Sequence, residues 1–202
     1  MRKVGIFLIL VALIVGVVGC GGGGNGKPVS NIDPSTLPGI QKGNAPWPPE
    51  IANLTARLMD IGLAALTQEG TALHIHAHID IFIDGNQIQV PADIGIDDVA
   101  GFLAPVHTHD SSGIMHVESP TVQTFNLGQF FDIWGVLFTK DCIGGYCSQG
   151  KQTLSVYVNG QMYSDDPRNI VLQEHEEIAV VFGIPEQSPN PIPAEYQFPT
   201  GY

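Results

Sequence analysis

The pattern of the chain predicts an α+β domain made mainly of antiparallel hairpins, with one N-terminal amphipathic helix and a short aromatic helix. A β-grasp-like core, with a sheet wrapped around the short helix, is the specific expectation; a small β-sandwich is the alternative. Three observations predict this class. Asp84-Gly85 and Asn159-Gly160 are two-residue turn signals, each flanked by strand-like runs. Ile51, Leu54, Leu58, Ile61 and Ala65 recur at helical spacing. Phe125 to Trp134 concentrates aromatics behind Asn126, a good helix N-cap.

Taken in order, residues 1–19 read as a leader. Met1-Arg2-Lys3 is a positive start, and Val4 to Val18 is an apolar run too short for a stable membrane span. Val17-Val18-Gly19-Cys20 resembles the bacterial lipobox, which implies that Cys20 becomes the lipidated first residue of a chain held on the extracytoplasmic face of a membrane. Residues 20–46 read as the lipidated cysteine and a flexible tether, because four glycines and then Asn, Ser and Pro carry no apolar period. A coil of that length reaches on the order of 28 Å. Residues 47–202 are the size of one domain. Within it the helix should cover Trp47 to Leu66, with Pro48 and Pro49 in its first turn and Gly70 as the stop.

Ile79 to Val90 should form a hairpin. With Asp84-Gly85 as the loop, Ile83 faces Asn86 and Ile81 faces Ile88, which sorts the aliphatics onto one side and Asp80, Phe82, Gln87 and Gln89 onto the other. In the second hairpin, Val106 to Glu118, a loop at 110–113 sets His107 opposite His116 and Val106 opposite Val117. That register turns Val106, Thr108, Met115 and Val117 inward. Leu154 to Tyr163 is a third hairpin, Ile178 to Phe182 is a buried last strand, and the proline-rich tail from Ile184 runs extended over the surface. Outside the cytoplasm, Cys142 and Cys147 should form a disulfide around a Gly144-Gly145 turn; their spacing is not the Cys-x-x-Cys redox form.

Charge narrows the partners. The formal charge is −12, and removal of Arg2 and Lys3 with the leader makes it more negative by two. Such a chain repels nucleic acid and anionic headgroups, which excludes both as electrostatic partners.

The chemistry lies in histidine. Six of the seven histidines fall in two segments, His74-Ile75-His76-Ala77-His78-Ile79-Asp80 and His107-Thr108-His109-Asp110-Ser111-Ser112-Gly113-Ile114-Met115-His116-Val117-Glu118. On a strand, residues two apart share a face, so His74, His76, His78 and Asp80 form one polar row opposite Leu73, Ile75, Ala77, Ile79 and Ile81. Imidazoles gathered this way suit a transition metal, and His107, His109 and His116 can supply a three-histidine platform. His74, His76 and His78 form a second platform, or merge with the first if the strands pair. Asp80, Asp110 and Glu118 are available as ligands or as acceptors that orient the rings. With no soft ligand facing the cluster, zinc or Cu(II) is favoured over Cu(I). The competing readings of these rows are pH sensing and plain polar packing. His175, between Glu174 and Glu176, reads as a surface group.

The segments His-Thr-His-Asp-Ser-Ser-Gly-Ile-Met-His-Val-Glu-Ser (107–119) and Leu-Gly-Gln-Phe-Phe-Asp-Ile-Trp-Gly (127–135) resemble an uncharacterised family of exported bacterial proteins, over about His74 to Phe182. The resemblance implies that these segments belong together; it brings no activity with it. No Gly-x-Ser-x-Gly elbow, phosphate-binding glycine loop or nucleophilic cysteine is present. Three functions follow: a membrane-anchored protein that binds a metal for handling or presentation; a metal-dependent hydrolase or oxygenase with a three-histidine site; and a structural or partner-binding surface module without metal.

Overall fold

The computed structural model describes Met1 and residues 32–202. Apart from Met1, the expected leader, with Cys20 and the glycine run, lies outside the described residues. The first helix is shorter than its apolar period suggests: α1 spans Leu54–Asp60. Gly62, at φ +71°, turns the chain directly after it, so Ala65 is exposed and off the stripe, while Leu54, Leu58 and Ile61 are buried. The packed domain also begins before Trp47. Leu37 is buried in the core, and the amide of Gln41 donates to the carbonyl of Gly135 at 2.8 Å. Arg57, 0% exposed, fastens both segments: it pairs with Glu50 and donates to the carbonyls of Pro38 and Ile133, each at 3.0 Å.

The sheet is organised by β1 (Leu73–Ile83), which is long enough to have two partners along one edge. Its second half turns through Asp84 and Gly85, both at positive φ, into β2 (Asn86–Ile88), with Ile81 opposite Ile88 and Ile83 opposite Asn86. A short side hairpin follows, β3 (Ile96–Asp97) with β4 (Phe102–Leu103). Then β5 (Val106–His107) and β6 (Ile114–Ser119) pair with Val106 opposite Val117 and His107 opposite His116. β6 in turn pairs with the first half of β1. The expected registers of both hairpins are present.

α2 (Leu127–Trp134) has Asn126 as its N-cap; the side chain of Asn126 accepts from the Gln129 amide, and the Gln129 side chain accepts from the Asn126 amide. The buried Arg168 grips α2 through a two-pronged pair with Asp132, at 2.8 and 3.1 Å. The disulfide Cys142–Cys147 joins β7 (Cys142–Ile143) to β8 (Tyr146–Cys147). Gly144 in its turn is at φ +53°, and a Cβ there would sit 2.5 Å from the Trp47 ring. β9 (Thr153–Val158) turns through Asn159-Gly160 into β10 (Gln161–Met162), and β11 (Glu177–Gly183) closes the fold.

The strand order is β10-β9-β11-β1-β6-β5, with β2 also on β1. β1 and β11 are parallel, which periodicity alone does not reveal, and every other ladder of the sheet is antiparallel. Two parallel central strands with antiparallel neighbours and a helix across one face form the β-grasp arrangement, not a two-sheet sandwich. Ile79, Ile81, Met115, Val117 and Val180 share one core with Phe130, Phe131 and Trp134 of α2. The other face of β1 and β6 is polar, and the histidines stand there.

Candidate metal centre

Strand register assembles the cluster. His76 lies opposite His116, and His116 lies opposite His107, so one row crosses β1, β6 and β5. Two residues along, His74 lies opposite Glu118. Residues directly opposite in a ladder have Cβ atoms within about 5.5 Å. The rings follow: His76 is 4.6 Å from His116 between centroids, His109 is 4.5 Å from His116, and His74 is 5.0 Å from His76. Met115, between these positions in sequence, points into the core at 0% exposure.

The donor atoms converge on the Glu118 carboxylate. Glu118 Oε1 is 3.4 Å from His74 Nε2, 3.8 Å from His107 Nε2 and 3.8 Å from His116 Nδ1, and His107 Nε2 is 3.2 Å from His109 Nε2. Donors around a tetrahedral zinc, at roughly 2.0–2.1 Å from the ion, stand about 3.3 Å apart. The separations of 3.2–3.8 Å come near this spacing, and the histidine donors close within 4.8 Å as two triads, His74 with His76 and His116, and His107 with His109 and His116.

Its protonation suits a cation. His107 Nδ1 lies 3.0 Å from the Ala104 carbonyl, which can only accept, so Nδ1 carries the proton and the Nε2 lone pair faces the cluster. Glu118 is 0% exposed. Its Oε2 accepts from the Gly70 amide at 3.0 Å, whereas Oε1 and His116 Nδ1 are buried with no hydrogen-bond partner. An unsatisfied buried polar group costs about 1–3 kcal/mol, and native folds rarely leave two such groups side by side without a purpose. Burial, then the charge of neighbouring imidazoles, holds His116 down to about 3 and His107 down to about 4. Burial, then His74, lowers His76. Burial raises Glu118, with His74 pulling the other way. The imidazoles with lowered values are thus neutral ligands at neutral pH.

The structure separates three of the expected ligands from this cluster. His78 shares the row but not the site: its Nε2 donates to the Ser112 carbonyl at 2.9 Å, and its Nδ1 meets Glu177 Oε2 at 2.7 Å. Both nitrogens are engaged. Burial draws His78 down, but the bond and charge of Glu177 outweigh it and the net shift is upward. Asp80 accepts from the Gln87 side chain at 2.7 Å. His78, Asp80 and Glu177 do form a close trio in which both nitrogens of His78 are engaged, while Glu177 Oε1 is buried without a partner. Asp110 is exposed and caps its own turn through the Ser112 amide. His175, outside the cluster as expected, is exposed and meets the Tyr202 carbonyl oxygen at 3.0 Å.

Other neighbours were not apparent from sequence. Glu69 reaches within 3.6 Å of His109. Gly70 fits against β6 so tightly that a Cβ would lie 2.2 Å from the Ser119 amide nitrogen. The proline-rich tail crosses the polar face: Tyr196 stacks on His78 at 3.7 Å, and Tyr202 lies 4.6 Å from His76 and 5.4 Å from His116. Between tail and sheet is a cleft of about 260 Å³ lined by Glu69, His74, His76, His109, His116 and Tyr202. His74 and His109 are 43% and 41% exposed at their side chains and form its open rim. No helix among the described residues is long and apolar enough to cross a membrane.

Scans against protein-family models, curated proteins and solved structures return no match. The functional reading therefore rests on the geometry of the chain itself.

Proposed function

We propose that the protein is a lipid-anchored extracytoplasmic protein that holds a divalent transition metal, zinc or Cu(II), for handling or presentation. One observation carries this reading. Glu118 Oε1 and His116 Nδ1 are buried without partners 3.8 Å apart, and Glu118 Oε1 also lies 3.4 Å from His74 Nε2 and 3.8 Å from His107 Nε2. A cation satisfies these lone pairs together, and imidazole with carboxylate is a donor set suited to zinc or Cu(II).

Handling is favoured over chemistry on a large substrate by the cleft. At about 260 Å³ it falls below the roughly 300–1,000 Å³ of sites that enclose organic ligands. The half-exposed His74 and His109 give an ion a route to solvent, unlike a sealed structural site. The anchor and the location outside the cytoplasm are supported by the leader and by the lipobox-like Val17-Val18-Gly19-Cys20. The Cys142–Cys147 disulfide fits the same compartment.

Elemental analysis of the untagged full chain tests the reading, after incubation with zinc or Cu(II) and dialysis. At least one molar equivalent is expected in the wild type and in His175→Ala, and background in His116→Ala. A wild type without metal, or a His116→Ala variant that binds as the wild type does, would contradict it.

A further inference from the structure

The cluster holds more donors than one ion can use. Four imidazoles (His74, His76, His109 and His116) and the carboxylates of Glu69 and Glu118 line the cleft, and the buried His107 closes on His109 and His116 behind them, whereas zinc takes four ligands in a tetrahedral shell. Their arrangement is also divided. The donor atoms close within 4.8 Å as two triads, His74 with His76 and His116, and His107 with His109 and His116. They do not close as one set of five, so one ion cannot gather them all.

The division follows from the sheet. β1 supplies His74 and His76 on one flank, and β5 with the bend after it supplies His107 and His109 on the other. β6 runs between and supplies the members in common. His116 belongs to both triads, and Glu118 Oε1 lies 3.4 Å from His74 Nε2 on one side and 3.8 Å from His107 Nε2 on the other. Glu118 is 0% exposed with this oxygen unpartnered, which places an unbalanced acceptor within 4 Å of a nitrogen of each flank.

From this juxtaposition we infer that the centre is binuclear: a β1-side cation at His74 and His76 and a β5-side cation at His107 and His109 share the Glu118 carboxylate of β6, with His116 a ligand to one of the two. The inference rests on the metal-binding reading above and deepens it. Two-metal sites place their ions about 3.5–4 Å apart, a span a carboxylate bridges while neutralising part of their mutual repulsion. The ligand class is a pair of divalent borderline cations, zinc or Cu(II), with solvent completing each shell through the cleft.

The test is a titration of the metal-free full chain with zinc, followed by native mass spectrometry, and with Cu(II), followed by electron paramagnetic resonance. The wild type is expected to take two equivalents, the second Cu(II) lowering the signal per copper through coupling between neighbouring ions. His74→Ala and His109→Ala alter half-exposed rim residues and should each retain one equivalent, with an uncoupled Cu(II) spectrum. Circular dichroism confirms that both variants fold. Saturation of the wild type at one equivalent overturns the binuclear inference alone. Two equivalents in both variants, or a second Cu(II) without coupling, overturn it as well and mark the second ion as surface-bound. No binding at all overturns the metal-binding reading together with it.

Discussion

Glu118 gives the sharpest prediction at the scale of single residues. It is buried, its Oε1 has no partner, and its carboxyl is raised by burial. In the metal-free protein this arrangement opposes stability. Glu118→Gln removes the buried charge and places an amide N–H against the lone pairs of His74 or His107. We expect the metal-free variant to melt at a higher temperature, by about 1 kcal/mol of stability, and to bind zinc at least tenfold more weakly. Opposite movements of stability and affinity are the mark of a residue kept for a ligand. Calorimetry and a zinc titration on one preparation check both. A lower melting temperature with unchanged zinc affinity would make Glu118 a structural residue. The pairing of His107 with His116 was legible in the sequence, because only that register also turns Val106 and Val117 inward. The loss of His78 to Glu177 was not: β11 brings that carboxylate from about a hundred positions away, and alternation along β1 says nothing about its neighbour.

At the scale of elements, local rules read well and long-range ones did not. Asp84-Gly85 and Asn159-Gly160 adopt the positive-φ turns that two-residue hairpins need, and Asn126 with Gln129 forms a reciprocal cap. Each signal lies within a few residues of what it controls. The helix near the N-terminus was overextended because an apolar period does not show where the backbone turns, and Gly62 turns it one residue after Ile61. The parallel contact of β1 with β11 has no local signature, because the strands are some hundred residues apart. The aromatic tail reads as an extended proline-rich segment, but what Tyr196 and Tyr202 touch is decided by the sheet beneath them. Residues 33–46 lack a period, yet Leu37 and Gln41 dock them to the domain through one apolar side chain and one short backbone pairing.

At the scale of the whole molecule, the acidic chain and the histidine face fit a protein that attracts cations and repels polyanions. The burial that keeps His107 at about 4 and His116 at about 3 also sets a pH range. Between those values and 6.5, the unfolded chain takes up protons that the fold refuses, so these residues withdraw stability from the metal-free fold as pH falls through that window. For the loaded protein the same low values delay competition by protons. Zinc should stay bound through about pH 6 and leave by about pH 4, as followed by equilibrium dialysis; half-release near 6.5 would show imidazoles of ordinary basicity. The central claim is that imidazoles from separate strands meet at one centre with Glu118. X-ray absorption at the zinc edge of the loaded full chain tests it most directly. The account predicts nitrogen and oxygen neighbours at roughly 2.0–2.1 Å, with the outer-shell scattering of at least three imidazoles. A first shell of oxygen alone, without imidazole scattering, would contradict it.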